Sequence, residues 1–340
     1  MMFYYYIITQ RCNLTCSHCI RGNSVSRDMD TTLALQFMDE LANYSSKNIL
    51  VLTGGEPTLH PDFMLFLYHG LNRFNQVILT SNGISKLFKR LINSWHALYQ
   101  NGLRIQFSID GDEIAHDKLR GTGSWAITID NLKSLSDSGI PMWISTVVTK
   151  DNIISIPYLR DLLHNYDIEK WHINPVLPFG CGAGLKSPSI NEWNCLVDDM
   201  LNSCRMQLGI RRLYDFKQLE HLTNENIIEL SRKFNKYQSI SNCGSGTYKI
   251  YIYPDFTVCG CTCLTSIPFG ILGKSPLRDI FQSPNALSIR NYKIKDSSPC
   301  NHCRYLPLCK GGCIGISLHK TGQIGIGDVR CPLWQKYSKI

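Results

Sequence analysis

Six strand-like apolar runs, at residues 4–9, 49–53, 77–80, 104–109, 143–149 and 170–176, are separated by intervals that each leave room for one helix. That alternation leaves few architectures open. Parallel neighbours need a helical crossover between them, so six βα units predict an α/β fold with a parallel sheet, open or curled into a partial (β/α)6 barrel. The intervals carry helical stripes: Ala34, Phe37, Met38 and Leu41 fall on one face, and Leu87, Leu91, Trp95 and Leu98 on another. Gly139-Ile140-Pro141 and Gly102 punctuate the steps into the fifth and fourth strands. A further helix is expected over residues 190–208, with Trp193, Val197, Met200 and Cys204 on its apolar side. At 340 residues, 44% hydrophobic and 18% charged, the chain can bury a sizeable core. We expect a first domain over 1–213, a more polar connector over 214–242 and a small cysteine-rich α+β domain over 243–340.

Directly behind the first strand stands Cys12-Asn13-Leu14-Thr15-Cys16-Ser17-His18-Cys19. A loop leaving a strand there can aim three thiolates at one point. Ligands of parallel sheets bind at the carboxyl ends of the strands, which is where this loop lies. A structural zinc site takes four protein ligands, and so does a fully ligated four-iron cluster. Three thiolates on a cube of four irons leave one iron for a ligand that is not protein. The competing reading is a zinc knuckle with His18 or a distant cysteine as its fourth ligand.

No apolar run reaches the roughly 20 residues that cross a bilayer, and no signal peptide is visible, which predicts a cytoplasmic protein without membrane attachment. Fifteen cysteines in such a chain point to metal or redox chemistry rather than disulfides. The formal charge of +8 is spread thinly, which suits an ordinary solvated surface better than a nucleic-acid groove.

Thr53-Gly54-Gly55-Glu56-Pro57 closes the second strand. Paired glycines admit a ligand close to the backbone, and Glu56 adds an acceptor suited to an ammonium group; a plain turn is the alternative. Together with the cysteine triplet, the motif resembles the radical S-adenosylmethionine (SAM) enzymes. In that superfamily the free iron chelates the amino and carboxylate groups of SAM, and Gly-Gly-Glu-Pro holds the amino group. The likeness continues through Ser81-Asn82-Gly83, Ser108-Ile109-Asp110-Gly111 and the stretch from His116 to Gly121. It implies that Ser108 and Asp110 lie near the ribose and Arg120 near the SAM carboxylate, for which a guanidinium is the natural partner. Thr149, Asn152 and Pro178-Phe179-Gly180 match the pattern more loosely, as contacts to ribose and adenine.

A second cysteine series runs Cys243, Cys259, Cys261, Cys263, Cys300, Cys303, Cys309, Cys313 and Cys331. Its spacing is similar to the SPASM domain, which carries two auxiliary four-iron clusters in enzymes that modify peptides and proteins. By that resemblance Cys300, Cys303, Cys309 and Cys331 hold the outer cluster, and Cys243, Cys261 and Cys313 the inner one. Three 4Fe-4S clusters in all are thus implied. Two departures stand out: Phe256 occupies the place of a glycine, and the inner cluster lacks a fourth cysteine upstream of Cys243. Either Cys259 or Cys263 supplies that ligand, or one iron stays open.

The resemblance implies an oxidoreductase that matures a ribosomally made precursor peptide. Reductive cleavage of SAM gives a 5′-deoxyadenosyl radical that removes hydrogen from an unactivated C–H bond, and auxiliary clusters suit the loss of an electron that an oxidative C–C, C–O or C–S crosslink requires. The alternatives are an epimerase with Cys181 as hydrogen donor, a formylglycine-type sulfatase maturase, and a non-catalytic iron–sulfur or zinc scaffold. Thr262 follows Cys261 where the sulfatase maturases have an aspartate base, which counts against that reading. Cys204 reads as core and Cys195 has no assigned role. No extra N-terminal domain for gripping a leader peptide is expected. Leader recognition then falls to the SPASM region, to a sheet edge or to a separate protein. A flavodoxin or ferredoxin is the expected electron donor.

Overall fold

The structure is a computed structural model, and it describes residues 1–22, 27–234 and 243–338. The end of the expected connector, residues 235–242, lies outside them. The chain divides into two compact units, Met1–Arg212 with Tyr253–Asp255, and Leu213–Ile252 with Phe256–Ile340.

The first unit runs β1 (Met2–Thr9), α1 (Thr31–Tyr44), β2 (Asn48–Gly54), α2 (Phe63–Arg73), β3 (Gln76–Ser81), α3 (Leu87–Arg90), α4 (Ile92–Gln100), β4 (Leu103–Ser108), α5 (Glu113–Arg120), α6 (Ser124–Asp137), β5 (Met142–Val148), α7 (Ile156–Leu163), β6 (Ile168–Pro175), α8 (Ile190–Ser203) and β7 (Gln207–Gly209). The strands pair in parallel in their chain order and the sheet does not close. β2 is buried along its whole length, as a parallel strand covered on both faces must be. α1 starts where the Asp30 carboxylate accepts from the Leu33 N–H, and it buries Ala34, Phe37, Met38 and Leu41, the stripe read from the sequence.

Two expectations change. The stripe through Leu87 and Leu91 breaks at Leu91, whose backbone leaves the helix between α3 and α4. The break rotates Phe88 inward instead. It meets Phe107 edge-on at 4.7 Å, and its carbonyl accepts from the Trp95 indole at 2.9 Å. The helix expected over 190–208 stops at Ser203, and residues 207–209 instead extend the sheet beside β6. Cys204 becomes its half-buried cap, and Leu196 joins Trp193, Val197 and Met200 inside.

The second unit contains α9 (Asn224–Phe234), an antiparallel set β8 (Lys249–Ile252), β9 (Thr257–Cys259) and β10 (Gly270–Ile271), and five short helices. These are α10 (Leu277–Phe281), α11 (Pro284–Arg290), α12 (Leu306–Cys309), α13 (Ile314–Thr321) and α14 (Pro332–Tyr337). Phe256 adopts φ 65°, the left-handed conformation that a glycine takes freely. The departure noted in the sequence is therefore one of side chain and not of backbone.

Gly54 and Gly55 also have a packing reason to be glycine. A Cβ at Gly55 would lie 2.2 Å from the Arg11 carbonyl oxygen, and one at Gly54 would lie 2.5 Å from that of Thr9. The pair lets the end of β2 press against the backbone that enters the cysteine loop. Gly55→Ala is expected to destabilise the protein by about 3 kcal/mol, since the atoms its Cβ would meet, in the Arg11 and Gln10 carbonyls, are backbone. Urea unfolding checks this; an unchanged midpoint would contradict it.

Candidate active site

The loop after β1 is pinned from three sides. The N–H groups of Gly55 and Glu56 reach the Thr9 and Arg11 carbonyls at 2.8 Å each, and Ser17 N–H reaches the Leu119 carbonyl at the end of α5 at 2.8 Å. From the segment after β6, Cys181 N–H donates to the Cys19 carbonyl at 2.9 Å. So held, Cys12, Cys16 and Cys19 open onto one cavity of ≈ 330 Å³ at the carboxyl ends of the strands. Gly54, Gly55, Ser81, Asn82, Ser108 and Arg120 share its wall.

Arg120 closes α5, 8% exposed, and its Nε donates to the Asp110 carboxylate at 2.6 Å. Its two Nη nitrogens have no protein hydrogen-bond partner among the described residues, so the fork is free to take a carboxylate. Asp110 is fully buried and lies outside the cavity wall, bonded also by Val147 N–H at 2.8 Å and facing His18 Nε2 at 3.4 Å. Burial works to raise its pKa, but Arg120, with His18 and His116, outweighs it and holds the carboxyl below its ordinary range. Asp110 therefore anchors Arg120 where the family likeness implied a ribose contact.

Glu56 is placed similarly. Its buried carboxylate accepts from Ser81 Oγ at 3.0 Å, Asn82 N–H at 2.8 Å and Thr58 Oγ1 at 2.7 Å, tying β2 to the end of β3. Burial raises its pKa in spite of those bonds. Asn82 faces the cavity and donates from its amide to Asn13 Oδ1 at 2.8 Å. Thr149 and Asn152 line a neighbouring cavity of ≈ 670 Å³ together with Ser17, and Asn152 Nδ2 holds the Asp110 carbonyl at 2.8 Å. Phe179 and Cys181 are absent from the wall of the first cavity, whereas Leu177 and Asn174 are on it. Gly180, at φ 56°, lets its segment lie against the cysteine loop: a Cβ there would meet the Cys19 carbonyl oxygen at 2.4 Å.

Sequence reading passed over several contributors. Thr80, Val147 and Asn174 reach the cavity from β3, β5 and β6, and their position at the carboxyl ends of parallel strands was the available signal. Arg21 donates to the Gly54 carbonyl, and no local pattern marks it. His116 accepts the Asp110 N–H on Nδ1 at 3.2 Å, and its buried Nε2 has no partner among the described residues. Burial, with Arg120 nearby, lowers its pKa from 6.5 to about 4. The folded state thus refuses a proton that the unfolded chain accepts below pH 6.5. Stability is expected to fall as pH drops from about 6.5 to about 4, by on the order of 3 kcal/mol from this residue. His116→Asn keeps an acceptor without the titration. Urea unfolding across that window should show a slope shallower by about one proton; an unaltered slope would count against this role.

In the second unit, Cys300, Cys303, Cys309 and Cys331 line one small cavity. A Cβ at Gly327, where φ is 90°, would lie 2.5 Å from Cys300 Sγ, so a glycine keeps that thiol's place clear. Burial pushes the Cys300 thiol up to about 11 and Cys309 to about 12, and the other thiols of the set add to the rise. Such thiols ionise when a metal takes the proton's place. Four thiols around a volume suit a cluster that fills it; among the described residues no three His, Cys, Asp or Glu side chains converge on a single ion. The remaining cysteines form a second group. Cys263 N–H donates to Cys261 Sγ at 3.4 Å, and Cys263 bears electrostatically on Cys313, which in turn bears on Cys243. The Cys263 Cβ sits 2.6 Å from where a Cβ at Gly315 would stand, at the start of α13. Cys259 stands on β9, 1% exposed and paired in register with Tyr251.

Comparison with known proteins follows the same division. Residues 6–163 match the Radical SAM superfamily, and residues 243–304 match SPASM, an iron–sulfur cluster-binding domain. An AdoMet-dependent heme synthase of Methanosarcina barkeri is 28% identical over 330 residues, covering 93% of this chain and 91% of that protein. The mycofactocin maturase MftC of Mycolicibacterium smegmatis is 26% identical over 339 residues, 95% of this chain and 81% of its own. Among solved structures, Streptococcus suis SuiB bound to precursor peptide SuiA superposes with a TM-score of 0.77 at 18% identity, over 97% of this chain and 76% of that one. No helix among the described residues is long and apolar enough to cross a membrane. The chain thus carries a radical SAM domain followed by a SPASM domain.

Proposed function

We propose that the protein is a radical SAM maturase of a ribosomally made peptide and that it forms an oxidative side-chain crosslink. The observation that carries the catalytic half is the single cavity shared by Cys12, Cys16, Cys19 and the unpartnered fork of Arg120. A four-iron cluster with SAM, when bound, supplies a 5′-deoxyadenosyl radical able to take hydrogen from an unactivated carbon. The three thiols would hold the cluster. Arg120, fixed by Asp110, receives the SAM carboxylate; Ser108 and Asn82 offer hydrogen bonds along the same wall. Glu56 keeps the β2 and β3 ends together beside that wall.

Two auxiliary clusters favour loss of an electron from the substrate over its return, which is why crosslinking stands ahead of epimerisation. Cys181, the donor an epimerase would need, is tied by its backbone to Cys19 but stays off the cavity wall. We assign Cys300, Cys303, Cys309 and Cys331 to the outer cluster, and Cys243, Cys261, Cys263 and Cys313 to the inner one. Cys263→Ser should then lower the iron content by up to about four atoms per chain while Cys259→Ser leaves it intact. The reverse pattern in iron and sulfide analysis would reassign the ligand.

The peptide half rests on the likeness to MftC along 95% of the chain. A second reading, action on a tetrapyrrole, is favoured by the comparable likeness to the heme synthase. Anaerobic turnover with the peptide encoded beside this gene, and separately with iron porphyrins, decides between them by mass spectrometry. A peptide lighter by two hydrogens supports crosslinking, and unchanged mass with deuterium taken up from heavy water supports epimerisation. An altered porphyrin with an untouched peptide would overturn the maturase.

A further inference from the structure

Tyr292 follows α11 in the second unit and is 2% exposed. Its Oη is buried and meets no hydrogen-bond partner among the described residues. The neighbouring polar groups are satisfied by contrast. Tyr214 Oη donates to Asp328, which also accepts from Cys313 N–H at 3.2 Å and from Arg330 Nη2 at 2.7 Å. Cys300 N–H finds Ser298 Oγ at 3.0 Å. A phenol keeps its proton at neutral pH and is then a donor, and a buried donor without an acceptor is uncommon in a folded protein.

The surroundings of Oη say what the acceptor is. It lies 3.2 Å from where a Cβ at Gly311 would stand, and the Gly311 N–H is itself directed at the Cys309 thiol. The cysteines that bear on the hydroxyl electrostatically are, in order, Cys300, Cys309 and Cys313. The first two belong to the set that lines one cavity with Cys303 and Cys331. Asp328 also bears on the hydroxyl, but its carboxylate already accepts from Tyr214, Arg330 and Cys313.

We propose that Tyr292 is a positioning residue of the outer auxiliary cluster, donating its phenolic hydrogen to a sulfur of the group held by Cys300, Cys303, Cys309 and Cys331. The inference rests on the cluster assignment above. A hydrogen bond to sulfur stabilises the more negative, reduced state and raises the potential. The bond makes the outer cluster easier to reduce than it would be without it, which suits it to accept an electron drawn from the substrate.

The test is Tyr292→Phe in the full-length, anaerobically reconstituted protein, which deletes one oxygen and leaves the ring. Auxiliary signals are told apart from the first cluster by their indifference to added SAM. The expected result is wild-type iron and sulfide content, with the midpoint potential of one SAM-insensitive signal moved to a more negative value. In electron–nuclear double resonance, a proton coupling to that reduced cluster, exchangeable in heavy water, should be present in wild type and missing in the variant. Equal potentials with the same exchangeable coupling would overturn the proposal, as would loss of iron, which would assign the residue to packing alone. Wild-type protein lacking any SAM-insensitive cluster signal would instead defeat the auxiliary-cluster assignment itself.

Discussion

Alanine at Cys12, Cys16 or Cys19 is expected to abolish reductive cleavage of SAM, by on the order of 10³-fold or more, while the protein stays folded and keeps its auxiliary iron. The three thiols stand on a loop braced by backbone hydrogen bonds from Gly55, Glu56, Ser17 and Cys181, none of which involves a cysteine side chain. Removing one sulfur therefore leaves the loop in place and takes away only a ligand. The protein should lose about four irons, and the loss should be the same for each of the three positions. Cys195→Ala is the control, because that thiol is exposed on α8, outside the cavity wall and both cysteine groups of the second unit. Iron analysis with chromatographic detection of 5′-deoxyadenosine measures both effects. Residual cleavage near the wild-type rate in any of the three would remove the site from this cavity.

The second large effect is expected at Arg120, and it separates binding from stability. Arg120→Lys keeps a charge beside Asp110 but has no fork to offer, so the apparent KM for SAM should rise about 10- to 100-fold with little loss of fold. Arg120→Met leaves the fully buried Asp110 carboxylate without its cation and should cost about 3–5 kcal/mol of stability. The double variant Asp110→Asn with Arg120→Met removes both charges. It should recover most of that stability and none of the SAM affinity. Urea unfolding and equilibrium binding of SAM read the two quantities separately. If the double variant binds SAM like wild type, Arg120 has no part in holding the carboxylate.

The βα alternation was legible because a parallel sheet imposes apolar runs at regular intervals, and all six expected strands form within one or two residues of their predicted ends. The seventh, residues 207–209, was hidden inside a stretch whose apolar spacing continues from α8. The cysteine sets were legible for a chemical reason: few other demands place so many thiols at fixed short spacings. Side-chain direction was not legible. Asp110, Glu56 and Arg120 all sit at strand or helix ends facing the site, yet only Arg120 reaches the cavity, because the other two are consumed by Arg120 and by Ser81 with Asn82. Likewise the sequence left Cys259 and Cys263, on either side of Cys261, as rival candidates for the fourth inner ligand. Strand β9 takes the first into register with Tyr251, which frees the next two for the loop. Tyr292 carried no sequence signal at all, since its significance lies in an unsatisfied hydroxyl that only packing reveals.

The most direct measurement is electron–nuclear double resonance on the reduced, reconstituted protein with SAM labelled by ¹⁵N at its amino group and ¹⁷O at its carboxylate. The account predicts hyperfine coupling from both labels to the cluster on Cys12, Cys16 and Cys19, because three protein thiols leave its fourth iron to the substrate. Absence of both couplings in protein that carries that cluster and binds SAM would contradict it.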